Sequence, residues 1–129
     1  MNAPKVPISW GELFDKITIL QIKLDKLKVK KAKDNVKKEL HQLQSILDQN
    51  FFDGVDSMQI MTDLKIINLK LWNIEDEIRN KERNKIFDEE FIELARSVYI
   101  TNDDRSRVKR NINNTFGSEL IEEKSYSKY

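Results

Sequence analysis

No proline occurs after Pro7, so nothing downstream is barred from helix by a missing amide hydrogen or a ring clash. The glycines, Gly11, Gly54 and Gly117, lie far apart. Apolar residues set the period within this permissive stretch. Ile60, Leu64, Ile67, Leu71, Ile74 and Ile78 recur in alternating steps of four and three, which makes one continuous stripe along a helix. The chain is therefore predicted to be all-α, an antiparallel helical bundle of four to five helices with coiled-coil-like stripes and a polar C-terminal tail.

Residues 1–8 read as an extended N-terminus. Ser9-Trp-Gly-Glu12 has the spacing of a capping box, with Glu12 as its far end, so a first helix is expected over 9–31. Its inward positions are Leu13, Ile17, Leu20, Leu24 and Leu27. Asp34 is expected to cap a second helix over 34–49, with the stripe Val36, Leu40, Leu43 and Leu47 and an end in the turn residues Asn50-Phe-Phe-Asp-Gly54. These two helices should form an antiparallel hairpin. A third helix over 56–86 carries the longest stripe and is expected to be the central element. Asp88 with Glu89 and Glu90 marks the start of a fourth, over 88–100, with Phe91, Leu94, Ala95 and Val98 inward. Thr101-Asn-Asp-Asp104 offers several capping side chains, so a break is expected there. A fifth helix over 102–116 would follow, with Val108, Ile112 and Phe116 inward, ended by a left-handed Gly117. Residues 118–129 are polar and aperiodic, which predicts a tail that packs partly or not at all.

A length of 129 residues suits a single domain. Lys plus Arg number 23 and Asp plus Glu 22, and this balance removes the domain-wide basic excess of a nucleic-acid binder. Lysines do crowd residues 23–38, but no aromatic residue is interleaved to stack bases. A solvated charged tip is the reading, and nucleic acid is not an expected partner. The absence of cysteine excludes disulfides, thiolate metal ligands and thiol catalysis. No apolar run reaches the length of a signal sequence or a membrane span, so a cytoplasmic protein is expected. His41, the lone histidine, sits among Lys and Gln next to Leu40, which argues against a Ser-His-Asp arrangement. Zinc lacks ligands. No cofactor is expected, and carboxylate-bound magnesium at Glu75, Asp76 and Glu82 is the one metal chemistry that the residue types allow. The Glu-x-x-Glu and Glu-x-x-x-Asp pairs of all-α nucleotide pyrophosphohydrolases are not reproduced at their spacing, which counts against nucleotide hydrolysis.

A second row, Asn68, Trp72, Glu75, Arg79 and Glu82, runs beside the apolar stripe of the third helix. It has two readings: an ion-pair ladder with Trp72 in the core, or a ligand-holding face. Glu12, Asp15, Lys16 and Lys23 of the first helix, and Arg96, Tyr99, Asn102, Asp103 and Arg105 near the fourth, would converge on it if those helices flank the third. Under the ligand reading, Arg79, Arg96 or Lys16 holds an anionic group such as a phosphate or carboxylate, and Glu75 or Asp76 is the acid–base candidate. The competing reading is an interaction module, in which surplus stripes pair with a second copy or a partner helix and no catalysis occurs.

Several phrases are similar to those of one known family. They are Ser9-Trp-Gly-Glu-Leu-Phe-Asp-Lys-Ile-Thr-Ile-Leu-Gln-Ile-Lys23, Leu71-Trp-Asn-Ile-Glu-Asp-Glu-Ile-Arg79 with Glu82, Phe91-Ile-Glu-Leu-Ala-Arg-Ser-Val-Tyr99 with Asn102-Asp103, Lys109-Arg-Asn-Ile-Asn113 and Gly117-Ser-Glu-Leu-Ile-Glu-Glu-Lys-Ser-Tyr126. Over nearly the whole chain they resemble a family of small bacterial and phage proteins catalogued only as a domain of unknown function. Its bacterial members tend to sit near genes for surface-polysaccharide assembly. The resemblance implies that Glu12, Asp15, Lys16, Trp72, Glu75, Asp76, Arg79, Glu82, Arg96, Tyr99, Asn102, Asp103 and Lys124 are motif positions. It also implies that the tail through Tyr126 folds back onto the bundle.

Overall fold

The computed structural model describes residues 1–50 and 54–129. Four helices follow one another: α1 (Trp10–Lys26), α2 (Lys30–Asp48), α3 (Ser57–Arg83) and α4 (Glu89–Thr115). No strand occurs among the described residues. Side-chain caps start three of them. Ser9 accepts from the Glu12 amide, Asp56 from the Gln59 amide and Asp88 from the Phe91 amide, each satisfying a donor that the first turn leaves unpaired.

The bundle is organised around α1, not around α3 as its stripe suggests. α1 packs on all three other helices, whereas α2 packs on α1 alone. The cause is composition around the circumference: α1 buries Gly11, Leu13, Phe14, Asp15, Ile17, Thr18, Leu20 and Ile22, residues that point to more than one side of a helix. α3 has the longer stripe but buries only Leu64, Asn68, Leu71 and Ile74. The main core joins Leu13, Phe14 and Ile17 to Leu47, Leu64 and Ile112, with Trp10 and Phe116 packed against it. The Phe14 and Phe116 rings stack at 5.3 Å.

Several expected boundaries are corrected. α1 stops at Lys26 and α2 starts at Lys30, so neither a helix to residue 31 nor an Asp34 cap is formed. The α1 stripe would meet Lys31 one turn beyond Leu27, leaving no apolar burial to hold that turn. Asp34 instead lies inside α2 and pairs with Lys30 at 3.6 Å. The second correction is that α4 is one continuous helix with no break at Thr101. Thr101 is 1% exposed and fills the inward row between Val98 and Val108. The neighbouring side chains that would cap a new helix are engaged elsewhere: Asn102 by Arg105, Asp104 by Arg107 and Asp103 by Tyr129.

α3 and α4 end alike. Lys85 and Gly117 take left-handed φ values of 56° and 59°, and the next amides, of Ile86 and Ser118, return to the carbonyls of Lys81 and Asn113. α3 thus ends at Arg83, short of residue 86. The turn expected at 50–54 lies largely outside the described residues, at Phe51, Phe52 and Asp53. The C-terminal segment is not loose. Ser118 Oγ accepts from the Trp10 amide at 3.3 Å, Glu123 pairs with Arg110 at 3.2 Å, and Tyr129 donates to Asp103 at 2.5 Å. No helix among the described residues is long and apolar enough to cross a membrane.

Candidate functional site

Beside the apolar core, a polar cluster forms where α1 meets α3 and α4. Asn68 Nδ2 donates to Asp15 Oδ1 at 2.8 Å and to Thr18 Oγ1 at 2.9 Å, and all three residues are buried. Thr18 uses its own hydrogen on the Asp15 carbonyl, at 2.8 Å. The Asn68 oxygen accepts from Arg105 Nη1 at 3.2 Å, and Asn102 accepts from Arg105 Nη2 at 2.8 Å. Asp15 Oδ2 lies 3.3 Å from Lys109 Nζ and 4.0 Å from Arg105 Nη1. A buried carboxylate is stable only with such partners. Sequence order places these groups far apart, and docking of the three helices joins them.

Gly11 makes the approach of α1 to α4 close enough. Its amide donates to Asn113 Oδ1 at 2.7 Å, and a Cβ at this position would stand 2.6 Å from the Lys109 carbonyl oxygen. Lys109 then reaches three carboxylates, Glu12 at 2.8 Å, Asp15 at 3.3 Å and Glu122 at 3.3 Å. Burial works against the Lys109 ammonium, but the Glu12 hydrogen bond and the charges of Asp15, Glu12 and Glu122 outweigh it and hold its pKa above 10.5. Burial likewise works against the Glu122 carboxylate. Lys109 and Lys124 overcome it and hold that group below 4.5.

The outer side of this cluster opens into a groove of about 1060 Å³ between α4 and the C-terminal segment. Asn102, Asp103, Arg105 and Arg107 line one wall, and Lys124, Tyr126, Lys128 and Tyr129 the other, with Tyr99 beside Tyr129 at 5.1 Å between ring centres. An adjoining hollow of about 160 Å³ is bounded by Arg107, Lys109, Arg110 and Lys124, with Glu122 as its acid. Together these walls present a cationic surface with aromatic faces. Another groove, of about 1080 Å³, lies between the N-terminal arm and α2 and is lined by residues such as Val6, Ile8, His41 and Ile46.

The residues singled out in the sequence are distributed unevenly. Asp15, Asn68, Asn102 and Arg105 meet directly, with Glu12 joined through Lys109 and with Tyr99, Asp103 and Lys124 on the groove. Glu12 has left the capping box: Ser9 caps its amide, while its carboxylate goes to Lys109 and stands 3.9 Å from the exposed Lys16. The upper half of the α3 row is a surface ladder. Arg79 binds Glu75, Glu82 turns to Lys85 at 3.3 Å, Asp76 is exposed and Trp72 is half-buried. Arg96 pairs with Glu93 at 2.9 Å. No hydrogen bond or ion pair among the described residues ties this ladder or Arg96 to Asp15. Nor does any group of three His, Asp or Glu side chains among them stand close enough to hold a metal ion. Lys109 and Asn113 went unnoticed as site residues, although they continue the polar row Asn102, Arg105 along α4.

Residues 4–129 match the model of a family described as "Family of unknown function (DUF6165)". The chain belongs to this family. No curated protein and no solved structure matches it. Membership covers the helices, the buried cluster and the C-terminal segment together, since the match reaches the last residue.

Proposed function

We propose that this protein binds a small anionic metabolite in the groove between α4 and the C-terminal segment. The observation that carries this reading is the state of Arg105. Its guanidinium is held by Asn68 of α3 and Asn102 of α4, its side chain is 28% exposed, and it lines the groove. These two hydrogen bonds use two of its five N–H donors. A guanidinium fixed in place with donors to spare suits bidentate capture of a phosphate or carboxylate. Lys124 supplies a second charge from the opposite wall, and Tyr99, Tyr126 and Tyr129 offer faces for a flat or apolar remainder. The reading assigns binding and no reaction.

A thermal-shift screen against nucleotides, sugar nucleotides and phosphorylated metabolites tests it. At least one class should raise the melting temperature, and both Arg105→Lys, which keeps charge but loses the fork, and Lys124→Ala should reduce that rise. Failure of every compound, or equal response by both variants, defeats the reading.

A second reading, self-association, draws on Met58 and Ile66, which are 79% and 63% exposed on the outer side of α3. Sedimentation equilibrium separates the two, because a strict monomer leaves only the ligand site.

A further inference from the structure

The α1–α2 hairpin tip is built unlike the rest of the molecule. Residues 23–38 hold eight lysines and two aspartates, an excess of six positive charges in a chain whose net charge is +1. Of these lysines only Lys30 has an ion pair among the described residues, with Asp34 at 3.6 Å, and that pair is open to solvent. α2 also begins against its own electrostatics. Val29 at the N-cap makes no side-chain hydrogen bond, and no acid stands in the first turn. Lys30, Lys31 and Lys33 occupy that turn instead, where the positive end of the helix dipole disfavours cations. At the apex, Val29 is 67% exposed. Since α2 packs on α1 alone, the outer sides of the tip are uncovered.

We propose that this tip is a docking surface for an anionic lipid bilayer, with the lysines on the headgroups and Val29 entering the interface. Charge complementarity selects a polyanion, since a cluster of four to eight lysines beside apolar side chains is drawn to acidic leaflets. The exposed valine selects lipid over nucleic acid. A bilayer interface accepts an apolar apex, and lysine stems lie along it with their ammonium groups in the headgroup layer. A nucleic-acid surface would find neither aromatic rings for its bases nor arginine forks for its phosphates between residues 23 and 38. The uncapped, lysine-rich first turn fits the same account, because phosphate headgroups near the α2 N-terminus relieve it.

Co-sedimentation of the full chain with vesicles tests this, using phosphatidylcholine alone or with about one third phosphatidylglycerol. The protein should pellet with the acidic vesicles only, and release as salt rises. The Lys28→Gln, Lys31→Gln, Lys38→Gln triple variant alters three exposed side chains without ion pairs and should lower partitioning about tenfold or more. Val29→Ser should lower it by a smaller factor. Unchanged binding by the triple variant, or no pelleting of the parent protein at low salt, overturns the proposal. So does tight binding of RNA that acidic vesicles fail to displace. Arg105→Lys should leave vesicle binding unaltered, so this surface and the metabolite groove stand or fall separately.

Discussion

Two regions of this bundle use cations in opposite ways. On the α1–α4 side, Arg105, Lys109 and Arg110 each meet a carboxylate supplied by another part of the chain. At the α1–α2 tip, most lysines stand in water, and their one carboxylate partner among the described residues is one turn away. Lys109 and Arg105 are therefore tied into the packed part of one region, with Arg110 paired at its surface, whereas the lysines of the other set up a surface field. Burial decides which. Lys109 has a side chain only 12% exposed and must be neutralised locally, whereas Lys30, at 93%, is screened by solvent.

The sharpest way to break this contrast is Asp15→Ala. It leaves Lys109, Arg105 and Asn68 without their shared acceptor, and chemical denaturation should show a loss of about 3–5 kcal/mol. Gly11→Ala drives a methyl against the Lys109 backbone, and a loss of about 1–3 kcal/mol is expected in the same measurement. The tip should respond in the opposite sense. Val29→Asp installs the missing cap and an acid at the start of α2, and should raise stability by about 0.5–1 kcal/mol. Destabilisation would contradict an unfavourable charge arrangement at the α2 start. Thr101→Val removes a buried hydroxyl that has no partner among the described residues, and should stabilise by up to about 1 kcal/mol.

The smallest effect on global stability concerns the C-terminal segment, where the contrast is sharpened by pH. The folded pKa of Glu122 is depressed, so its contribution is complete above 4.5 and fades as pH falls through the lower folded value. That of Lys109 is raised, so its contribution is complete below 10.5 and fades as pH rises through the higher folded value. Amide resonances of residues 119–126 should therefore hold their positions from pH 5 to 10 and shift at both extremes, in about the windows that these two groups set. Movement near pH 7 would contradict the Glu122–Lys109 contact.

Part of the candidate site was legible in the sequence. Asp15, Asn68, Asn102 and Arg105 stand out as polar residues on helices otherwise patterned for burial, and they do meet. Trp72, Glu75 and Arg79 stand out equally, yet form a surface ladder. Spacing along one helix tells which residues share a face. It does not tell which neighbour that face receives. Lys109 gave little signal because its importance comes from Gly11, which admits α1 close to the α4 backbone.

The sequence by itself determined that this chain is helical, that Ser9 and Asp88 start helices and that Gly117 ends one, because periodicity and capping depend on residues within a turn of each other. Tertiary structure alone decided that α1 is the centre, that α4 runs unbroken past Thr101 and which side chains hold the C-terminal segment on α4, a segment that the resemblance already folds back onto the bundle. The physical reason is one of range. Whether a buried carboxylate finds its cation, or a potential cap stays inside a helix, depends on partners brought close only when the helices dock.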